Sequence, residues 1–238
     1  MNKCVRISAE RPRLELELDR LEAGALALIA GSAGYGKSSS VASWSTRSGS
    51  PTRWIRAGRG LLDALALAAD EDAGAWLPRL SRAVRRGATL SVCSAALIAD
   101  LATPHAALTL VIDDADAITV TPEGLAFLRS IVERDPDGSR VIFIGRRSAT
   151  LRLATARSKR AVIEIGAQAL RISPQQTRQI AEARGWHGTP ARLEEARRAA
   201  AGNGGILAAW IARQTDASLQ GDLNDFIASI NTSIARTG

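Results

Sequence analysis

Cysteine, histidine and long apolar runs are scarce in this chain of 238 residues. Its two cysteines, Cys4 and Cys93, and its two histidines, His105 and His187, lie far apart in sequence, which excludes a disulfide framework and leaves no zinc-binding spacing. No apolar run approaches the roughly 20 residues of a membrane span, and no signal-peptide core follows the N-terminus. We therefore expect a cytoplasmic protein that has no membrane partner and folds around an apolar core.

Lysine and aromatic residues are also rare. The chain has 28 arginines but only three lysines, and its net charge is +7. Clustered arginines neutralise phosphates, so this charge is compatible with a nucleic-acid partner. The alternative is a set of solvated helix faces, and the shortage of aromatic side chains argues against stacking on single-stranded bases. The two densest groups are Arg79, Arg82, Arg85 and Arg86, and Arg146, Arg147, Arg152, Arg157 and Arg160.

The most informative segment matches the phosphate-loop pattern G-x-x-x-x-G-K-[ST]. Residues 31–38 read G-S-A-G-Y-G-K-S and directly follow the apolar run 25–30. That run is short, continuous and bounded by glycine, as expected of a strand buried on both faces of a parallel sheet. A helix is expected after the loop. The alternative is a chance glycine-rich turn. Such a turn would need neither a strand before it nor a helix after it.

Each residue type in the phosphate loop (residues 31–38) suits the binding of a phosphate group. Glycines lack a Cβ, so backbone N–H groups can surround a phosphate, and the next helix adds the positive end of its dipole. Lys37 reaches the β- and γ-phosphates as a compact charge, and the Ser38 hydroxyl suits Mg²⁺. We predict that ATP and Mg²⁺ are the cofactors, that Lys37 is also catalytic, and that the nucleotide-binding residues are Gly31, Ser32, Ala33, Gly34, Tyr35, Gly36, Lys37, Ser38 and Ser39.

An acidic pair ends a later apolar run and matches the Walker B pattern. The run 108–112 is followed by Asp113 and Asp114. Asp113, at the carboxyl end of a strand, is suited to hold Mg²⁺ through its water shell, and Asp114 to orient the attacking water. Such pairs also occur in ordinary turns, but the phosphate loop upstream favours the functional interpretation. Asp116 is expected to be a solvated or capping residue.

Two arginines follow the predicted strand 140–145. Strand ends in α/β sheets present ligand-contacting groups, so Arg146 or Arg147 is a candidate sensor of the γ-phosphate. The alternative is an ordinary surface arginine. We predict that Arg146 is catalytic.

Strands and helices alternate up to residue 166. Strands are predicted at 25–30, 52–57, 108–112, 140–145 and 161–165, with helices at 37–46, 61–69, 76–86 and 95–101 and from 121. After residue 166 only helices are predicted: Ser173 opens a capping box with Gln176, Thr189 and Pro190 start a helix, and 206–213 is a third. The fold class is therefore a three-layer α/β P-loop NTPase with a mostly parallel sheet (residues 1–166) and a small helical lid (167–238).

The order of these parts resembles the ATPase domain of STAND-type regulators, especially the MalT-like, LuxR-type large ATP-binding transcriptional regulators. The resemblance rests on the A-G-Y-G-K-S string at 33–38, on 110–116 and on Arg146, and it also covers 11–21 and the run from 151 to 173. It implies a STAND/AAA-like ATPase whose lid closes on the γ-phosphate, and a protein partner or self-assembly.

The chain departs from this family's pattern at three places. Residues 56–59, after the second predicted strand, read R-A-G-R where the family has acidic residues, and residues 202–207, at the place of the family's nucleotide-contacting lid motif, lack its proline. The sequence also stops before the DNA-binding region of such regulators. We therefore expect either an excised fragment or a stand-alone ATPase.

Three functions are compatible with these features. The first is an ATP-binding, slowly hydrolysing switch that couples nucleotide state to assembly with a partner. The second is a nucleotide-holding scaffold with negligible hydrolysis. The third is a motor-type ATPase that acts on nucleic acid or on a protein complex, as the basic charge suggests.

Overall fold

The structure is a computed structural model that describes residues 12–56, 60–70, 76–103, 108–133, 138–146 and 153–215. Cys4, His105, Arg147 and Arg152, and the predicted lid beyond residue 215, lie outside the described residues. The elements are α1 (Pro12–Asp19), β1 (Leu26–Ala30), α2 (Lys37–Ser48), β2 (Thr52–Arg56), α3 (Leu61–Asp70), α4 (Pro78–Arg85), α5 (Leu90–Leu101), β3 (Thr109–Asp113), α6 (Ala115–Ile118), α7 (Pro122–Glu133), β4 (Arg140–Gly145), α8 (Ala154–Arg157), β5 (Val162–Ile165), α9 (Pro174–Ala183), α10 (Pro190–Ala199) and α11 (Gly204–Thr215).

Five parallel strands form one sheet in the order β2-β3-β4-β1-β5. The predicted α/β fold with a mostly parallel sheet is confirmed. β1 lies between β4 and β5, with Leu28 opposite Phe143 on β4, and its first four residues are buried. The carboxyl ends of β1, β4 and β3 are therefore neighbours along one edge of the sheet.

The chain packs as two compact units. The larger comprises Leu16–Gly31 and Trp44–Gly166 and contains the sheet. Its core joins strand residues such as Leu28, Ile112 and Phe143 to apolar faces of the surrounding helices. Burial raises the pKa of the Cys93 thiol, which keeps it protonated and unreactive, as expected of a structural cysteine.

The smaller unit contains Ser32–Ser43 together with the chain from Ala167 onward. We call its described part from 167 to 215 the lid segment. Helices α9, α10 and α11 share a core around Trp210, which is 1% exposed. The predicted capping box is confirmed, because the Gln176 N–H donates to Ser173 Oγ (3.2 Å) and the Ser173 N–H donates to Gln176 Oε1 (2.7 Å). Thr189 caps α10 as predicted, accepting from the Arg192 N–H.

Three short helices were not predicted, and three helix starts differ from the prediction, including that of α11, which begins at Gly204 instead of 206. The helices α1, α6 and α8 are additions to the expected pattern. The helix expected from 76 begins at Pro78, because proline suits the first helical turn, where its missing N–H needs no partner. Helix α5 begins at Leu90 instead of 95. No helix in the described part of the chain is long and apolar enough to cross a membrane.

Candidate phosphate-binding site

The phosphate loop leaves the sheet at Gly31. The Gly31 N–H donates to the Gly145 carbonyl (3.2 Å), which extends the pairing of β1 with β4 by one residue. The chain then turns through Gly34 at φ +84° and Gly36 at φ +72°, values that favour glycine. Helix α2 begins at once with Lys37. The predicted order of strand, loop and helix is therefore present.

Serine hydroxyls reinforce the start of α2. The Gly36 carbonyl accepts from the Ser40 N–H (2.9 Å), from Ser40 Oγ (2.7 Å) and from Ser39 Oγ (3.0 Å). Ser40 is buried, whereas Ser39 is exposed and Ser38 is half-buried. The first N–H groups of a helix have no acceptor within it, so a helix start fixed in this way presents donors to an anion.

Lys37 folds back over the loop that precedes it. Its Nζ donates to the Ser32 carbonyl at 3.0 Å, and the side chain is half-buried. The ammonium group is therefore held beside the loop backbone, where it can meet the negative charge of a phosphate. A lysine suits this position because its charge is compact and its stem is flexible.

The lid segment binds the loop through residues that the sequence analysis did not identify as site residues. The Asn203 Nδ2 donates to the Ala33 carbonyl (2.8 Å), and the Gly205 N–H donates to the Gly34 carbonyl (2.8 Å). The Tyr35 hydroxyl lies 3.4 Å from the Ala201 carbonyl. Two sequence signals were available: an asparagine at a helix N-cap among glycines, which predicts the start of α11, and the resemblance of 202–207 to a nucleotide-contacting lid motif, which does not specify the contact with the loop.

The acidic pair lies at the carboxyl end of β3 in the larger unit. Asp113 ends the strand, and its Oδ1 accepts the Asp114 N–H at 3.0 Å. Its Oδ2 lies 3.9 Å from Arg56 Nε. Asp114 adopts the left-handed conformation at φ 56°, which aspartate tolerates better than most residues, and its side chain is exposed. The two carboxylates thus have different surroundings.

Arg146 follows β4, and its backbone is held by Asp116. The Arg146 N–H donates to the Asp116 carboxylate, and the Arg146 side chain is exposed. A Cβ on Gly145 would lie 2.7 Å from Asp116 Oδ2, so the contact requires glycine there. Asp116 was expected to be a solvated or capping residue; it instead fixes the backbone at the candidate sensor position.

The structure places the predicted residues in two groups. Gly31, Asp113 and Arg146 stand at the carboxyl ends of β1, β3 and β4, which are adjacent strands of the larger unit. Residues 32–39 pack within the smaller unit.

The predicted Mg²⁺ site rests on oxygen donors. In the part of the chain that the structure describes, no three or more His, Cys, Asp or Glu side chains are grouped so that they could hold a metal ion. Mg²⁺ in nucleotide sites is held by one or two protein oxygens together with phosphates and water. The Ser38 hydroxyl in the smaller unit and the Asp113 carboxylate in the larger unit are each a donor of the kind that this ion takes.

Comparison with known proteins identifies the fold. The chain matches no protein-family model and no curated protein sequence. It is similar to the Aeropyrum pernix ORC1 protein, solved in complex with DNA (TM-score 0.58, 18% identity, 95% of this chain and 64% of that chain). The chain has the P-loop NTPase fold.

Two further solved structures are similar to this chain and support the same fold. A Walker-type ATPase of Pyrococcus abyssi matches with TM-score 0.57 and 14% identity over 95% of this chain and 71% of that chain. Domain III of the Thermotoga maritima replication initiation protein DnaA matches with TM-score 0.51 and 14% identity over 93% of this chain and 89% of that domain. At these identities the likeness establishes the fold alone, and the STAND resemblance is not confirmed.

Proposed function

We propose that this chain binds ATP with Mg²⁺ and hydrolyses it slowly, as a switch that couples nucleotide state to assembly with a protein partner or a second copy. The observation that carries the proposal is the phosphate loop itself. Positive φ angles at Gly34 and Gly36, the Lys37 ammonium beside the loop and the immediate start of α2 are what a nucleotide phosphate requires.

The residues of the site have different proposed roles in nucleotide binding and hydrolysis. Loop amides and Lys37 bind the phosphates, and Ser38 and Asp113 hold Mg²⁺, which when bound neutralises charge on the phosphate oxygens. Asp114, exposed and left-handed, is suited to orient the attacking water, and Arg146 to contact the γ-phosphate. These roles need positioned charges and no covalent intermediate on the protein.

We further propose that residues 1–166 form the NTPase domain and 167–238 a lid. Three helices of the lid segment share their own core, and residues 201–205 bind the phosphate loop directly. A segment with its own core can move as one body, so nucleotide state can be transmitted through it to an assembly surface.

Binding and turnover, measured on the same protein, test the proposal. Calorimetry with a non-hydrolysable ATP analogue and Mg²⁺ gives affinity, and phosphate release under excess ATP gives the rate. Tight binding with slow, measurable turnover supports the switch. Tight binding without turnover would establish the scaffold alternative, and absence of binding would reject the nucleotide site.

A second candidate function is contact with nucleic acid through α4. Arg82, Arg85 and Arg86 are exposed at spacings of three and four residues, and no carboxylate among the described residues pairs with them. Arg79 differs, because its guanidinium bonds to Asp100. The matched ORC1 structure contains DNA, which favours the same class of partner. The motor alternative gains no support from the comparisons.

A salt-dependence experiment tests the α4 surface. Changing Arg82, Arg85 and Arg86 to Glu should weaken binding to duplex DNA and reduce the salt slope by about 0.9 for each lost phosphate contact. Changing Arg129, Arg178 and Arg184 to Glu alters the net charge equally at other exposed positions. Equal weakening by both triple variants would show that net charge, and not α4, governs the binding.

A further inference from the structure

Two consecutive carbonyls of the phosphate loop are both bound by the start of helix α11. Asn203 Nδ2 donates to the Ala33 carbonyl, and the Gly205 N–H donates to the Gly34 carbonyl, each at 2.8 Å. The two bonds join segments separated by about 170 positions in sequence. Asn203 is 2% exposed, so the donor side of the first bond is shielded from water, whereas Ala33, Gly34 and Gly205 are exposed residues.

Each polar atom of the Asn203 side chain has a separate task. Its Oδ1 accepts the N–H groups of Gly205 (3.0 Å) and Ile206 (3.2 Å) and so caps α11. Since Oδ1 faces two donors, Nδ2 faces the Ala33 carbonyl. The same amide group therefore caps the helix and holds the loop.

Holding a carbonyl also aims the amide that follows it. The peptide group is planar and trans, so its N–H points away from its C=O. With the Ala33 and Gly34 carbonyls directed at α11, the N–H groups of Gly34 and Tyr35 are turned the other way. Amides of the phosphate loop are the groups that surround a phosphate.

Packing at this junction leaves no room for side chains. A Cβ on Gly34 would lie 2.6 Å from Asn203 Oδ1, and a Cβ on Gly205 would lie 2.6 Å from Gly34 Cα. The loop backbone and the helix start are therefore in direct contact, and displacement of one moves the other.

We propose that Asn203 is a positioning residue for nucleotide binding, which sets the peptide planes of the phosphate loop from the lid segment. The inference rests on the proposed function, since it assumes that the loop binds phosphate. By linkage, a nucleotide that depends on this loop geometry also stabilises the start of α11. The coupling between lid and nucleotide thus runs through backbone carbonyls, at a place where no proline is present.

Asn203→Asp separates the two tasks of the side chain. Aspartate caps a helix as well as asparagine does, but it offers no donor to the Ala33 carbonyl. Thr189→Ala is the matched control, because it removes the cap of another lid helix, α10, where Thr189 accepts the Arg192 N–H. Both variants are first checked for cooperative thermal unfolding.

The readouts are the dissociation constant of a non-hydrolysable ATP analogue with Mg²⁺ and hydrogen exchange of residues 33–36 without nucleotide. For Asn203→Asp we expect about tenfold weaker binding, the effect of losing one part-buried hydrogen bond, and faster exchange in the loop. Thr189→Ala should change affinity less than about twofold. Wild-type affinity in Asn203→Asp, or equal weakening in both variants, would overturn the inference.

A second variant, Gly205→Ala, tests the inference if Asn203→Asp does not fold. Gly205→Ala leaves Asn203 intact and places a methyl group against Gly34, so it should weaken binding in the same direction. If Gly205→Ala binds like wild type, the inference fails. A wild-type protein that binds no ATP rejects the proposed function itself, whereas wild-type binding with unaffected variants rejects the role of Asn203 alone.

Discussion

Arg56 and Asp113 stand opposite each other at the ends of paired strands, with Arg56 Nε 3.9 Å from Asp113 Oδ2. The guanidinium also lies 4.9 Å from the ring centroid of Trp54, two residues earlier on β2. The carboxylate proposed for Mg²⁺ therefore has a cationic neighbour.

Removing that cation should strengthen Mg²⁺ binding. Because Arg56 is largely exposed and exposed ion pairs contribute little, we expect Arg56→Ala to lower the Mg²⁺ concentration needed for half-maximal nucleotide binding by up to about threefold. A fluorescent nucleotide titrated with Mg²⁺ measures this. Arg129→Ala, which removes an exposed arginine from α7, should have no effect; a shift of equal size there would assign the change to net charge.

Lys37→Ala should weaken ATP binding at least tenfold and leave the fold intact. The ammonium group bonds to a loop carbonyl and fills no core position, so its loss creates no cavity. Calorimetry measures affinity, and circular dichroism checks the fold. Lys159→Ala is the control, since this exposed lysine also bonds to a carbonyl, that of Glu133. An unchanged affinity in Lys37→Ala contradicts the phosphate-loop assignment.

The two carboxylates after β3 should give different phenotypes. Asp113→Asn should impair Mg²⁺-dependent binding, whereas Asp114→Asn should preserve binding and lower turnover. Asparagine tolerates the left-handed conformation that residue 114 adopts, so the second variant is expected to fold normally. Single-turnover hydrolysis separates binding from chemistry. Wild-type turnover in Asp114→Asn would remove its proposed role and favour the scaffold alternative.

Asp100 should be important for the stability of the larger unit. Its carboxylate is buried on α5 and accepts the backbone N–H groups of Arg79 (3.0 Å) and Leu80 (2.9 Å) at the start of α4, where Leu77 offers no side-chain cap. Asp100→Ala removes the acceptor of both N–H groups, of which that of Leu80 is buried, and should cost about 2–4 kcal/mol in urea unfolding. Asp63→Ala on α3, which is exposed, should cost under about 0.5 kcal/mol.

The lid segment should distinguish nucleotide states. Hydrogen exchange in residues 173–213 should slow with a non-hydrolysable ATP analogue, and less so with ADP, because closure depends on the γ-phosphate. Exchange in α7, at residues 122–133 of the larger unit, serves as the internal reference. Equal protection of the lid segment by both nucleotides would mean that it does not respond to the γ-phosphate.

Features that depend on residues close together in sequence were predictable from the sequence. The phosphate loop, its flanking strand and helix, and the capping box at Ser173 rest on spacings of a few residues, and all are present. Helix α1 was missed because leucine alternates with glutamate from 14 to 18. Burial shows a helical face instead, since Leu14 and Leu18 are buried while Leu16 is 53% exposed.

The missed site residues depend on distant partners. The resemblance of residues 202–207 to a nucleotide-contacting lid motif does not specify that the Asn203 side chain will meet Ala33. Asp116, on α6, holds the Arg146 backbone only because Gly145, at the end of β4, has no side chain in the way. Such contacts follow from strand order and helix packing, which a local pattern does not specify.

The bond between Asn203 and Ala33 also sets a limit on when the site can be completed during synthesis. Ala33 leaves the ribosome about 170 residues before its partner. At roughly 5–20 residues per second this is a delay of roughly 10–30 seconds, during which β1 can already pair with β4. A nascent chain that ends before residue 203 therefore carries the whole nucleotide-binding motif without the contacts that hold its backbone.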